Sequence, residues 1–318
     1  MIKPRILLIG GTGQLGWELY KLLPRLYETV ALNRRELDLT DLRAIRRRLR
    51  EIGPQLVINA AAYTAVDQAE SDAVAARVIN SEGPAVMAEE AKKLGAGLIH
   101  YSTDYVFDGC KRTPYEEADP PNPINVYGET KLAGEQAIQG VGLPHLIFRT
   151  EWVYATRGKN FLLTILRLAT QREELRIVDD QVGTPTWSGA IALATMRILN
   201  QVSSRSVAFS RLAEFSGLYH LTAAGQTTWC GFARAILEEC SGGKEPSPWL
   251  ASTIGGRALV CQRIVPIATR DYPTPARRPS YSVLSNANLR QAFGIELPGW
   301  RSQLHLVFRG SDADDFTK

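Results

Sequence analysis

The chain is poor in the residues from which metal centres and disulfide scaffolds are built. Its 318 residues include four cysteines and four histidines. Cys110, Cys230, Cys240 and Cys261 form no CxxC pair, and His100, His145, His220 and His305 never recur at metal-ligand spacing. Neither a metal site nor a disulfide framework is expected. A strong excess of one charge is also missing, the formal net charge being +4. The one dense basic run, Arg43, Arg46, Arg47, Arg48 and Arg50, is interleaved with Leu42, Ile45, Leu49 and Ile52 at helical spacing. That pattern is the wet face of an amphipathic helix rather than a nucleic-acid site. No apolar run approaches a membrane span, and the stretch after Met1–Arg5 is too short for a signal-peptide core. The expectation is a reduced, cytoplasmic globular protein whose partners include neither nucleic acid nor membrane. With 45% hydrophobic residues it can bury the core of one large domain or of two coupled ones.

What is present begins with a strand, Arg5 to Ile9, that meets Gly10-Gly11-Thr12-Gly13-Gln14-Leu15-Gly16. A helical pattern follows at Leu15, Leu19, Leu22 and Leu23. Strand, glycine turn and helix in this order set free backbone N–H groups and a helix dipole against a pyrophosphate. Gly10, Gly13 and Gly16 give GxxGxxG, a variant of the dinucleotide fingerprint. The second strand, Thr29 to Leu32, ends at Asn33-Arg34-Arg35, where an acidic residue would bind ribose hydroxyls and arginines would accept a 2′-phosphate. NADPH is therefore expected, with NADH the alternative donor. Arg34 and Arg35 would contact the phosphate, and Asp38 would lie beside the adenine.

Thr40 reads as the cap of the arginine-faced helix, and Leu56 to Ala60 as a buried strand. A long helical region from Asp72 to Leu94, interrupted at Gly83-Pro84, carries Asn80. The fourth strand, Gly97 to Tyr101, leads to Thr103 and Asp104 at a carboxyl end, where open parallel sheets hold their ligands. Asn122 before Pro123 reads as a helix N-cap, which puts Tyr127 and Lys131 four residues apart on one face. An adjacent ammonium favours a phenolate, so Lys131 is expected to lower the Tyr127 pKa toward that of a working general acid. His145 to Arg149 is a further strand, ending in Thr150-Glu151-Trp152. Beyond it, Gln201 to Ser210 reads as a polar connection, while Leu218 to Leu221 and the stretch from Ser241 to Gly256 are assigned to a smaller mixed unit. The fold class is α/β, a Rossmann-type doubly wound parallel sheet with a smaller C-terminal mixed α/β substrate domain. Residues 1–151 would form the dinucleotide-binding domain, with 184–212 returning to it, and 152–318 would be mainly substrate-binding.

The glycine turn, Thr103, Tyr127 and Lys131 stand in the order found in extended short-chain dehydrogenases/reductases. Three stretches resemble the dTDP-4-dehydrorhamnose reductase family within that group: Asn59 to Asp67, Ser102 to Gly109 and Pro273 to Pro279. The resemblance runs from about Arg5 to Trp300 and weakens over Gln201 to Ser210 and Ser241 to Gly256. It implies an oxidoreductase of nucleotide-sugar biosynthesis acting on the C4 ketone of dTDP-4-dehydro-L-rhamnose. In it Thr103 hydrogen-bonds the ketone, Tyr127 protonates the forming alkoxide and Lys131 binds the nicotinamide ribose. It further implies cofactor contacts from Gly13, Gln14, Leu15, Asp38, Ala62, Tyr63, Thr64 and Tyr101, and substrate contacts from Val66, Thr103, Asp104 and Trp152. Arg278 suits a diphosphate clamp, because a guanidinium fork matches phosphate geometry, with Arg277 and Arg270 equally available for that role. A homodimer is the candidate assembly. Two other readings are weighed. One is a non-catalytic NADP-binding regulatory subunit of the methionine adenosyltransferase beta type. The other is a dehydratase or epimerase, against which Tyr105 stands where a dehydratase carries glutamate.

Overall fold

Short apolar runs become strands here because amphipathic helices cover both faces of the sheet they form. In the computed structural model, which describes residues 3–203, 209–241 and 247–310, β1 (Arg5–Ile9) leads through the glycine turn to α1 (Gln14–Leu22). Next come β2 (Glu28–Leu32), α2 (Leu42–Ile52), β3 (Leu56–Asn59), α3 (Val66–Ala69), α4 (Ala73–Arg77), α5 (Gly83–Lys93), β4 (Gly97–Thr103), α6 (Val126–Val141) and β5 (His145–Thr150). They are followed by β6 (Val153–Tyr154), α7 (Phe161–Ala169), β7 (Glu174–Val178), β8 (Val182–Gly183), β9 (Thr186–Trp187) and α8 (Ser188–Val202). The described chain ends with β10 (Gly217–His220), β11 (Thr227–Thr228), α9 (Trp229–Cys240), α10 (Pro248–Ile254), β12 (Arg263–Ile267), α11 (Ala287–Phe293) and α12 (Trp300–Arg309).

Six strands make one parallel sheet in the order β10-β5-β4-β3-β1-β2. Alternate residues of β1 feed two cores: Ile6 and Leu8 pack with Leu19, Ile191 and Ile198, whereas Leu7 and Ile9 pack with Ile45, Leu49, Met87 and Ile138. This is the doubly wound arrangement expected from the alternation of elements. Three two-stranded ribbons, β11 with β8, β12 with β7 and β6 with β9, lie outside the main sheet. No helix among the described residues is long and apolar enough to cross a membrane.

Several local readings are corrected. The strand assigned to the smaller unit is β10, which pairs parallel with β5 from Gly217 opposite Leu146 to His220 opposite Arg149. It supplies the ladder that β5 would otherwise lack along one edge. Within the polar connection, 204–208 lie outside the described residues, and Gln201 and Val202 still belong to α8. Within the stretch from Ser241 to Gly256, 242–246 lie outside them, and α10 starts at Pro248. Asp41, not Thr40, caps α2 by accepting from the N–H groups of Arg43 and Ala44, because the Thr40 hydroxyl is engaged by Asp38 at 2.9 Å. The break in the long helical region comes before Gly83-Pro84, as a π-helical turn at Val78–Glu82. A proline ring clashes with the carbonyl four residues earlier, and widening the helix relieves that clash at Asn80.

The arginines of α2 do more than face water. Glu90 on α5, only 1% exposed, accepts from Arg46 at 2.9 Å, Arg50 at 2.7 Å and Lys93 at 2.9 Å. Arg50 above all, against the opposing effect of burial, holds its carboxyl down at about 2 from an ordinary 4.5. A carboxylate depressed in this way stabilises the fold above its unfolded pKa and loses that contribution as pH falls through the folded value. Glu90→Gln should therefore cost about 1–3 kcal/mol at neutral pH. Urea titrations of the two proteins should converge as pH is lowered from 4.5 toward about 2. A gap that persisted at the acid end would mean the loss was packing rather than charge.

Candidate active site

The first wall of the site is the turn between β1 and α1. Gly10 has φ +87°, and a Cβ there would lie 2.8 Å from the Ala61 amide nitrogen. A Cβ on Gly16 would lie 2.1 Å from the Gly10 carbonyl oxygen, so α1 can begin directly over the strand end only with glycine at these places. Gly13 is the N-cap residue and carries no capping side chain, leaving the first N–H groups of α1 available to an anion. The carbonyl of Leu32 accepts from Gly10 and Gly11, fastening the turn to β2. Arg34 and Arg35 are exposed in the turn after β2, where Asn33 Oδ1 accepts from the Arg35 N–H at 2.8 Å. A donor-lined cradle with two exposed arginines just past the end of the neighbouring strand fits a dinucleotide carrying an extra phosphate. The Leu15 side chain is buried in the core, so only its backbone faces the cradle. Gln14 Oε1 accepts from Asn160 Nδ2 at 2.8 Å. Asp38 is exposed and engaged with Thr40 through both the backbone N–H and the hydroxyl.

The second wall is the loop Ala62-Tyr63-Thr64 after β3, with Val66 opening α3. Buried Asn80 holds it: Asn80 Oδ1 accepts from the Tyr63 N–H at 2.8 Å, while Nδ2 donates to the Tyr63 carbonyl at 3.1 Å and to Thr130 Oγ1 at 3.2 Å. Thr130 lies on α6, so one asparagine ties the loop to the helix carrying Tyr127 and Lys131.

That helix starts three residues later than the sequence suggests. Its N-cap is Asn125, whose Oδ1 accepts from the Gly128 N–H at 2.8 Å, because Asn122 Nδ2 is engaged by Asp108 at 3.0 Å. Tyr127 sits half-buried with its ring edge-on to Tyr105, centroids 5.5 Å apart. Burial pushes its phenol up to about 12; the Thr103 hydroxyl opposes this and the Asp104 charge adds to it. The expected lowering by Lys131 is not what the chain does without ligand. Lys131, 1% exposed, donates to the Tyr101 carbonyl at 2.6 Å and lies 3.3 Å from His100 Nε2. Burial brings its own pKa down to about 8, with Glu135 opposing. Tyr101 meets the site through that carbonyl alone, since its ring is buried and its hydroxyl pairs with Thr195 at 2.8 Å.

At the end of β4, Thr103 Oγ1 donates to Asp104 Oδ1 at 3.0 Å and accepts from the Tyr105 N–H at 3.2 Å. Asp104 is 2% exposed, and burial pushes it up to about 7. Buried Glu151 is pushed well up by burial first and by the Asp104 charge second; its Oε1 accepts from the Thr184 N–H at 2.5 Å and from Ser282 at 3.0 Å. Two carboxyls thus face a dry corner behind Thr103 and hold protons there more readily than either would in water. Beside them Trp152 adopts φ +44° and stacks on Trp229, ring centroids 3.5 Å apart and planes within 10°. Arg278 is not a free clamp: its guanidinium forks onto Asp67 at 2.9 and 2.7 Å and onto Thr274 at 2.6 Å. Arg277 is exposed, and its carbonyl accepts from Asn125 Nδ2 at 2.8 Å.

Residues 4–312 match the family described as the RmlD substrate binding domain. The dTDP-4-dehydrorhamnose reductase of Burkholderia thailandensis is 50% identical over 305 residues, 96% of this chain and 98% of that one. The Escherichia coli enzyme of the same name is 42% identical over 300 residues, 93% of this chain and 94% of its own. The chain belongs to the dTDP-4-dehydrorhamnose reductase family. Among solved structures, a dTDP-4-dehydrorhamnose reductase from Bacillus anthracis in complex with NADP superposes with a TM-score of 0.83 at 32% identity, covering 97% of this chain and 100% of that one.

Several groups in this reductase-family site escape sequence reasoning. Asn80 looks like any polar residue of a helix, and its only signal is the Gly83-Pro84 pair that follows the π-helical turn in which it is buried. Ser282 and Trp229 reach the site from 131 and 77 residues beyond Glu151 and Trp152, a separation no local pattern spans. Gly183 is the packing plane for both Glu151 and Trp152: a Cβ there would lie 2.3 Å from Glu151 Oε1 and 2.5 Å from the Trp152 ring. Gly183→Ala should destabilise the chain by about 1–3 kcal/mol through overpacking. It should also weaken the exciton couplet of the Trp152–Trp229 stack in circular dichroism. An unchanged couplet would show that the stack does not lean on Gly183.

Proposed function

We propose that this chain reduces the C4 ketone of dTDP-4-dehydro-L-rhamnose to the alcohol of dTDP-L-rhamnose, with NADPH as donor, in cytoplasmic nucleotide-sugar biosynthesis. The reading is carried by Thr103, at the carboxyl end of β4, lying close enough to Tyr127 to act on its phenol, on the same edge of the parallel sheet as the glycine turn, in a chain of this reductase family. It is supported further by the NADP bound to the B. anthracis relative and by the exposed Arg34 and Arg35 beside the cradle. NADPH, when bound, supplies the hydride. Tyr127, with its phenol pushed up to about 12, keeps its proton at neutral pH and delivers it to the C4 oxygen as negative charge develops there. Thr103 holds that oxygen. Its single hydroxyl proton is given to Asp104 in the free chain, so protonated Asp104 would donate to Thr103 Oγ1 and free the hydroxyl proton for the ketone. An aspartate pushed up to about 7 lies within reach of that change. In this reading the Trp152 ring, immobilised by Trp229, would meet the deoxysugar, and Arg278, its guanidinium anchored on Asp67, would face the diphosphate.

The reading predicts loss of nicotinamide absorbance when dTDP-4-dehydro-L-rhamnose and NADPH are mixed with the protein. A purified, folded chain that oxidised no NADPH would sink it and favour a non-catalytic regulatory role. Tyr127→Phe should lower kcat about 10²- to 10⁴-fold, as for loss of a general acid, with little change in NADPH affinity. Full activity in that variant would assign the proton to another group. Replacing Arg34 and Arg35 by alanine should raise the KM for NADPH about tenfold or more while leaving that for NADH nearly unchanged. Equal effects on the two cofactors would remove both arginines from the 2′-phosphate.

A further inference from the structure

Lys131 stands at the end of a hydrogen-bond chain whose polarity can be followed from one fixed donor. The Ala61 N–H can only donate, and its acceptor is Asn59 Oδ1 at 3.1 Å. This orients the Asn59 amide, so Nδ2 faces His100 Nδ1 at 3.1 Å as a donor. A neutral imidazole that accepts at Nδ1 carries its proton on Nε2, and Nε2 lies 3.3 Å from Lys131 Nζ. If Lys131 were an ammonium, two donors would meet at that contact. As a neutral amine it accepts from His100 and donates to the Tyr101 carbonyl at 2.6 Å, and every group in the chain is satisfied. Turning Asn59 over only transfers the conflict to the Ala61 N–H.

The surroundings favour the same state. His100 is 1% exposed, and burial above all opposes its protonation, so the ring is neutral whichever state Lys131 adopts. Glu135, one turn further along α6, is held by Arg149 of β5 at 2.7 Å and 3.0 Å. The Tyr101 phenol of β4 is turned away onto Thr195, Tyr127 lies one turn back on α6, and the Asn80 and Thr130 contacts are uncharged. Burial places the Lys131 ammonium at about 8, with Glu135 opposing.

We propose that His100, locked by Asn59, is a positioning residue that favours the neutral amine of Lys131 on the Tyr101 carbonyl in the free chain, and that this amine takes a proton from solvent when the cofactor ribose draws it away. The inference rests on the cofactor reading above. Its sign follows from linkage: a group that binds its proton more tightly in the complex takes one up on association, and affinity weakens by up to about tenfold per pH unit above the free value. His100 thereby couples cofactor binding to arming of the lysine beside Tyr127.

Calorimetric titration of the protein with NADPH at about pH 8.5, in two buffers of different ionisation enthalpy, should show uptake of about half to one proton. Two variants release the constraint from different ends. His100→Gln can turn an amide oxygen to an ammonium, and Asn59→Asp accepts from both the Ala61 N–H and His100, freeing Nε2 to accept from Lys131. Both should lower the uptake clearly below that of the wild type. In the free protein the Lys131 Cε resonance, assigned by its loss in Lys131→Met, should titrate near or below 8; in His100→Gln it should move toward the ordinary lysine value of about 10.4. Titration of free wild-type Lys131 at that ordinary value, or proton uptake unchanged in both variants, would overturn the inference. A low-titrating Lys131 in a chain that binds no NADPH would leave the role of His100 standing and overturn the cofactor reading instead.

Discussion

The close seating of α6 on two backbone carbonyls is the constraint on which the rest of the site depends. A Cβ at Gly128 would lie 2.1 Å from the Tyr105 carbonyl oxygen, and one at Gly134 would lie 2.1 Å from that of Asn80. Contact between bare backbones fixes both the height of the helix and its rotation against the end of β4. Tyr127 immediately precedes the first contact and Lys131 lies between the two, so their positions follow from main-chain geometry rather than from adaptable side-chain packing. The Asn125 cap and the Asn80–Thr130 bond then hold what the glycines allow. Preorganisation of this kind lowers the reorganisation needed as charge develops on a reacting oxygen.

Burial sets the chemistry at this corner. Tyr127 and Asp104 are moved toward their protonated forms and Lys131 toward its neutral amine, each primarily because water is excluded. The charges that survive nearby are those with fork-like partners, Arg149 on Glu135 and Arg278 on Asp67. A site poor in fixed charge at rest leaves a developing alkoxide little competition for the hydrogen bonds aimed at it. It also gives each protonation state a strong dependence on whatever ligand enters.

Much of this was legible in the sequence, and the remainder was hidden for identifiable reasons. The glycine turn, the alternation of strands and helices and the Tyr127–Lys131 spacing are local patterns, and the fold and the shared helix followed from them. The Asn125 cap was misplaced because Asn122 is claimed by Asp108, a partner 14 residues back. Tyr101 was counted as a lining side chain because alternation along a strand does not say which face meets a helix such as α8. The direction of the Tyr127 shift was misjudged because spacing shows that Lys131 is near but not that His100 and the Tyr101 carbonyl claim it first. Arg278 was read as free because Asp67, 211 residues away, has no local signature as its partner.

That last separation bears on how the molecule is made. The segment around 276–282 grips Asp67, Asn125 and Glu151, all from the first half of the chain. The strands and helices from β1 to β5 follow one another closely and can assemble as they emerge during synthesis, whereas the partners of Asp67, Asn125 and Glu151 appear only with almost the last stretch. A message truncated shortly before this point would yield a chain with a largely complete sheet and glycine turn but with Asp67 unanchored and Glu151 uncapped by Ser282. Such a fragment would also lack α11 and α12, whose Leu289, Phe293, Leu304 and Val307 share a core with Ile6, Leu8 and Leu19, so an early stop would remove packing beneath the glycine turn as well as the closing contacts.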